Sequence, residues 1–255
     1  IGLSNCYFNN ITGNFADQNV INGIGLADCN INIISRNSLS DNSVGGISLS
    51  NSNYNSILNN TANNNDHGIF IENGGNNVIT NNTANDNYWD GLFLLNSDFN
   101  QVSKNTIDFS HFGSGIGSYS SHSNTISENI IKNSGLGISF EYSYHNIISG
   151  NTASNNDNFG IHFEGGYNNT ILENTVNNNY VSGIYLEDCD TNTILNNTAN
   201  QNVVHGISLS NCDYNTIMGN TAQNHLESGI GLWDSSYNTI SENNVKDNGR
   251  GIFLE

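Results

Sequence analysis

Apolar residues along this chain alternate with polar ones in short runs, as in Ile184-Tyr185-Leu186 and Ile207-Ser208-Leu209. No apolar stripe of helical period runs through it, so the pattern predicts strands rather than helices. Each run follows a glycine, and the unit recurs at Gly23, Gly46, Gly68, Gly91, Gly115, Gly137, Gly160, Gly183, Gly206, Gly229 and Gly251. The intervals are 22, 23 or 24 residues throughout. Residues 196–212, NNTANQNVVHGISLSNC, nearly restate residues 59–74, NNTANNNDHGIFIENG. A fixed period of this size marks a repeat architecture. One period is roughly 75 Å of extended chain at about 3.3 Å per residue, which suits a solenoid coil of three short strands and three bends. Proline is absent, as a strand paired above and below requires, because every backbone N–H is then used. The crossover rule adds a right hand. The pattern therefore predicts an all-β protein, a right-handed single-stranded parallel β-helix of about eleven coils.

Ile1-Gly2-Leu3 aligns with Ile24-Gly25-Leu26, so the repeats fill residues 1–255 as a single domain without a linker. Both ends fall inside expected strands, and the chain reads as a piece of a longer surface or secreted protein. Within each repeat two positions are invariantly asparagine. One column is Asn9, Asn32, Asn55, Asn77, Asn100, Asn124, Asn146, Asn169, Asn192, Asn215 and Asn238; the other runs from Asn14 and Asn37 through Asn129 and Asn151 to Asn220 and Asn243. Neither contains an aspartate. A stacked amide can donate to one coil and accept from the other, whereas a stacked carboxylate only accepts and repels its neighbours. Asparagine also tolerates the left-handed backbone of a bend. These columns read as scaffold, and between them an isoleucine column, Ile11 to Ile240, reads as core.

The composite motif N-T-I-x-x-N-T-A-x-x-N-x-x-G-I-x-L-x-x-S resembles the NosD-like, pectate-lyase-like repeats of carbohydrate-binding proteins and sugar hydrolases. It is similar above all to repeat regions of surface proteins from methane-producing archaea. The resemblance covers the whole chain and implies an extracellular or cell-surface location with polysaccharide as the partner. The copper chemistry associated with NosD finds no ligand cluster here, since the seven histidines occupy scattered columns and none neighbours a Cys or Met. No metal or cofactor is expected beyond a weak Ca²⁺ site.

Charge narrows the partners further. Five Lys plus Arg against twenty-three Asp plus Glu, a net charge of −18, argue against nucleic acid and polyuronate ligands, which need cations to hold them. No run is long and apolar enough for membrane insertion. The four cysteines fall in one column on neighbouring coils, Cys6 with Cys29 and Cys189 with Cys212. Parallel Cβ vectors favour buried free thiols over disulfides.

Candidate chemistry must sit on outward columns. Glu141, Glu164 and Glu187 share one column in three consecutive coils, with Trp233 two coils beyond. His162 and Tyr185 precede Glu164 and Glu187 by two residues and so share their side of the strand. Carboxylates beside flat aromatics suit sugars. The Glu164/Glu187 pair also approaches the separation used by retaining glycosidases, while carboxylate oxygens alone suit Ca²⁺. A second patch lies at the bend before the Gly-Ile strand, where successive coils carry Asp66, His67, Trp89, Asp90 and His111. There the interval from Gly91 to Gly115 is the longest and Ser118 replaces an apolar residue, a local failure of pattern of the kind that marks functional sites. The leading expectation is a non-catalytic structural or adhesive module with weak polysaccharide binding. The alternatives are a glycoside hydrolase working from the Glu164/Glu187 face and a purely structural stalk. Terminal strands with open edges predict end-to-end self-association.

Overall fold

The computed structural model describes residues 1–255 and consists of strands, bends and turns, with no helix. The Gly-Ile-x-Leu segments stack into a 12-stranded parallel sheet from Gly2–Ser4 to Arg250–Leu254, and the Thr-Ile segments into an 11-stranded one from Asn10–Thr12 to Thr239–Ser241. Thr-Ala segments form a third face, made of two 3-stranded pieces joined through isolated bridges such as Thr152↔Thr175 and Thr175↔Thr198. Each strand pairs with its equivalent one coil on, so Ile161 meets Ile184 and Ile184 meets Ile207. The predicted β-solenoid of about eleven coils is the fold.

Its core is one continuous cluster of 41 buried residues, built from the inward isoleucine, leucine and alanine columns. Ile57, Ile79, Ile126, Ile148, Ile171, Ile194 and Ile217 are all fully buried. Glycine precedes each Gly-Ile-x-Leu isoleucine because the backbone there lies against the third face. A Cβ on Gly206 would meet the Ala222 Cβ at 2.8 Å, closer than any ordinary packing contact.

The corners differ from expectation in two ways. Each coil has four left-handed residues, not three bends, and the ladder asparagines are not among them. The left-handed residue is always the one just before: Tyr54 (φ 58°) before Asn55, Asn59 (φ 56°) before Asn60, Asn64 (φ 55°) before Asn65. Turning left aims that residue's N–H along the solenoid axis, where Tyr54 N donates to the Gly75 carbonyl at 3.1 Å. The asparagine that follows is chosen for hydrogen bonding alone. Asn146 Oδ1 accepts from the Asn124 N–H at 2.8 Å, and its Nδ2 donates to Asn169 Oδ1 at 3.2 Å and to the Ser121 carbonyl at 3.1 Å.

The second difference is a third asparagine ladder, running through Asn19, Asn42, Asn65 and Asn87 and again through Asn156, Asn179 and Asn202. Ser110, Ser134 and His225 stand in it, and because those substitutions break the column it does not read as invariant. The cysteine column is a fourth ladder, shared with serine. Cys189 N donates to Cys212 Sγ at 3.2 Å just as Ser97 N donates to Ser121 Oγ at 2.9 Å, and each Sγ or Oγ donates to the carbonyl two residues back. All four thiols are free.

Ser118, which broke the pattern, has a packing explanation. It points inward between Leu94 and Phe140 in one column, followed by Phe163. Phe140 and Phe163 are fully buried and stacked at 5.1 Å between centroids, so a small residue beside two large ones keeps the column's volume. The hydroxyl of Ser118 is left without a partner. The anomaly belongs to the core and does not mark a surface site.

Candidate functional site: an aromatic groove on the long-strand sheet

On the outward face of the 12-stranded sheet, successive coils carry carboxylates, aromatic rings and small polar residues in turn. It carries three columns. The Glu column runs Glu141, Glu164, Glu187, Ser210, Trp233 in register, as expected. Two residues earlier lies the column of Ser139, His162, Tyr185, Ser208 and Gly231. The residues just before each anchoring glycine, among them Phe159, Ser182, His205 and Ser228, form the third.

Between Tyr185 and Trp233 this face sinks into a groove of about 330 Å³ lined by Phe159, Val181, Ser182, Tyr185, His205, Ser208, Ser210 and Trp233. Phe159 and Tyr185 make one wall, with ring centroids 4.7 Å apart. His205 and Trp233, 4.9 Å apart, make the other. Ser182, Ser208 and Ser210 form the floor, where Ser208 Oγ donates to Ser182 Oγ at 3.2 Å. The indole of Trp233 folds over Gly231 so closely that a Cβ there would collide with it. Glycine at this position is therefore what lets the ring lie down and close the groove.

The polar groups have assigned roles. His205 Nδ1 accepts the Ser228 N–H at 3.2 Å, which leaves the proton on Nε2 and makes that nitrogen a donor. Burial lowers the His205 pKa and outweighs the opposing pull of Glu227, so the ring is neutral at pH 7. Burial, reinforced by the Glu187 charge, pushes the Tyr185 phenol up to about 12, so it stays a donor. His162 lies on the expected face but beneath it, packed under both Phe159 and Tyr185 at 5.3 and 5.6 Å and hydrogen-bonded through Nδ1 to Ser139 Oγ at 3.1 Å. Burial lowers its pKa to about 4. It supports the aromatic wall and does not line the groove.

Of the six residues expected at this face, Tyr185 and Trp233 line the groove and His162 backs it. Glu187 borders it through Tyr185, while Glu141 and Glu164 continue away along the column. Burial and the Glu164 charge raise the Glu141 pKa. No carboxylate lines the groove, and Glu164 and Glu187 sit on one side of it, in adjacent coils. Nor do any three His, Cys, Asp or Glu side chains converge as a metal site would require, and this includes the column considered for Ca²⁺. Sequence reasoning missed Phe159, Ser182, His205 and Ser208. The signal was present, because Phe159 and His205 occupy the same column as His67 and Asp90, each just before an anchoring glycine.

The second patch does not form one site. His67 Nδ1 lies 3.3 Å from Asp90 Oδ2 without a hydrogen bond between them. Asp90 Oδ1 is already occupied by the Ser114 N–H at 2.7 Å. His67 stacks on Phe70 and Phe93 on the long-strand sheet. Trp89 turns instead to Tyr88 and Phe112. Asp66 and His111 face a shallow depression with Asp86 and Tyr88. The bend divides these residues over different surfaces.

No curated protein matches the chain in sequence. Among solved structures, the A-module of mannuronan C-5 epimerase AlgE6 from Azotobacter vinelandii is similar at 13% identity and a TM-score of 0.60, covering 95% of this chain and 76% of that one. DFA-IIIase from Arthrobacter chlorophenolicus A6 aligns at 13% identity and 0.62, over 78% of this chain and 57% of its own. The tailspike protein 3 of bacteriophage CBA120 aligns at 12% identity and 0.58, over 95% and 44%. At these identities the likeness is one of fold. A family model described as "Periplasmic copper-binding protein (NosD)" matches residues 1–111 and 99–255. The copper of that description finds no fitting donor set here: the Cys29, Cys189 and Cys212 sulfurs turn inward to backbone carbonyls, and the Nδ1 atoms of His162, His205 and His225 face Ser139, Ser228 and Asn248. With its repeats matched from end to end, the chain belongs to the NosD family.

Proposed function

We propose that this chain is a non-catalytic β-helix module of an envelope or cell-surface protein that binds neutral polysaccharide in the groove between Tyr185 and Trp233. The groove itself carries the reading. Its aromatic walls offer flat apolar faces for sugar rings, and Nε2 of His205, the Tyr185 phenol and the floor serines offer donors and acceptors for hydroxyls. Sites of this size, mostly apolar with a few placed polar groups, are typical of small-ligand pockets. Charge selects a neutral glycan: of the five cations, Lys104 and Lys132 are paired with Glu128 and Asp108, and the net charge is −18. The mannuronan epimerase A-modules and the periplasmic epimerase AlgG, the latter at 13% identity, share the fold and support polysaccharide and the envelope as the setting.

A glycan array followed by calorimetry on the hits tests this reading. Tyr185→Ala and Trp233→Ala should each weaken binding about tenfold or more, while Glu164→Gln and Glu187→Gln leave it within about threefold. Hydrolysis of a bound glycan that disappears in either Gln variant would replace the binding module with a glycosidase. Binding to no glycan at all would leave the structural stalk.

A further inference from the structure

The column that passes through the groove has an order of its own. Read one coil at a time, it is Gly2, Gly25, Ser48, then Phe70, Phe93, then Gly117, Ser139, then His162, Tyr185, then Ser208, Gly231, then Phe253. Runs of two or three small residues alternate with pairs of rings, and Phe253 closes the column. The rings of a pair are nearly parallel and offset-stacked, Phe70 with Phe93 at 6.0 Å and 14°, His162 with Tyr185 at 5.6 Å and 14°. Parallel rings that close cannot lie edge to edge in one plane, so Phe70 and Phe93 stand up as one ridge across the sheet, and Tyr185, backed by buried His162 and flanked by Phe159, stands up as the other. Each small run is a floor beside a ridge.

The fold does not demand this order. Outward residues of this column leave the core undisturbed, and the neighbouring inward columns show no four-coil period. With coils about 4.8 Å apart, the floors recur about every 19 Å along the axis.

A depression lies over each floor. The third is the groove already described. The middle one, at Gly117 and Ser139, is only about 50 Å³, because Phe93 leans over Gly117 until a Cβ there would meet the ring at 2.6 Å. The first is open, with a volume of about 550 Å³. Gly25 and Ser48 lie in its floor, Phe70 is its wall on one side, the strand Gly2–Ser4 bounds it on the other, and Ser50 and Glu72 stand on its rim. Glu72 belongs to the Glu column, as Glu187 does beside the third floor. Ser48 Oγ, bonded to Asn22 Oδ1 at 2.9 Å, holds the polar position that Ser208 holds in the other groove.

We infer that the depression over Gly25 and Ser48 is a second binding site for the same class of neutral glycan, eight coils and about 38 Å from the first, so that one solenoid grips a long glycan at two points or links two glycans. This rests on the proposed function of the Tyr185–Trp233 groove and adds valency to it. Two sites on one rigid rod convert the second binding event into an intramolecular one, which can raise apparent affinity for a polymer by about a hundredfold or more.

Titration calorimetry of the full chain with the neutral tetrasaccharides of β-1,4-glucan, β-1,3-glucan and β-1,4-mannan tests it. The wild type should bind a recognised tetrasaccharide at two sites per chain. Phe70→Ala and, independently, Ser48→Gln, which fills the floor without touching the core, should each leave one site. Trp233→Ala should leave the other. The corresponding polymer should bind the wild type at least tenfold more tightly than it binds any of these variants, all of which should keep the wild-type unfolding midpoint. A single site per chain in the wild type, unchanged in Phe70→Ala and Ser48→Gln, would overturn the second site and leave the first standing. No binding by any tetrasaccharide or polymer would overturn both.

Discussion

Replacing Asn146 by aspartate changes one atom type in the middle of a ladder, and the structure says what that atom does. Asn146 is 1% exposed. Its Nδ2 donates to Asn169 Oδ1 at 3.2 Å, to the Ser121 carbonyl at 3.1 Å and to the Tyr144 carbonyl at 3.2 Å. Aspartate still accepts the Asn124 N–H but turns a second oxygen toward three oxygens. Each buried acceptor left unpaired costs about 1–3 kcal/mol, so the variant should lose on the order of 3–5 kcal/mol of stability at pH 7. The charge gives the prediction a signature. Burial among acceptors raises the folded-state pKa of the introduced carboxyl above its unfolded value of about 3.9. The penalty is therefore full near neutrality and is relieved as the pH falls toward the unfolded value, because a protonated carboxyl recovers one donor. The assay is urea unfolding followed by circular dichroism at pH 7 and pH 4, with exposed Asn158→Asp as the control. The Asn146→Asp midpoint should fall well below the control at pH 7 and approach it at pH 4. Equal midpoints at pH 7 would refute the ladder argument, and a gap that widens in acid would refute the donor-loss account of it.

Three further outcomes follow from the same structure. Thiol titration in denaturant without reductant should find four free thiols per chain, and in the native state the buried Cys29, Cys189 and Cys212 should resist alkylation while half-exposed Cys6 reacts; a count near zero would mean bridged pairs. His162, with a folded pKa of about 4 against about 6.5 unfolded, should withdraw roughly 3 kcal/mol of stability as pH falls from 7 to 4. The lowered pKa values of His205 and His225 act in the same direction, and His162→Gln should flatten this acid limb; an unchanged limb would mean that His162 is not held neutral. Ser118→Leu should overpack against Phe140 and destabilise by about 1–3 kcal/mol, and Ser118→Leu combined with Phe140→Leu should recover most of it; additive losses would remove the volume-exchange explanation.

The period, the strands and two asparagine ladders were legible in the linear chain because a solenoid repeats one local problem. The residue that solves it at Asn146 solves it again at Asn169. The in-register run of Glu141, Glu164, Glu187 and Trp233 followed from the same arithmetic, since strands paired coil on coil convert sequence period directly into spatial column. What depends on conformation was not legible. The left-handed residue proved to be the one before each asparagine, which only backbone torsion reveals, and Phe8, Ile31 and Tyr54 occupy that position as readily as Asn76. The third ladder was hidden because Ser110, Ser134 and His225 interrupt its identity while keeping its hydrogen bonds. The groove was decided by tertiary structure alone. Register placed Tyr185 and Trp233 on one face, but whether their rings stand, lean or lie down depends on the residues beneath, Gly231 and Ser208. It depends also on Phe159, which roofs His162 and turns an expected surface histidine into a buried support. Columns are set by period; cavities are set by how unlike side chains on neighbouring coils fill, or fail to fill, the same space.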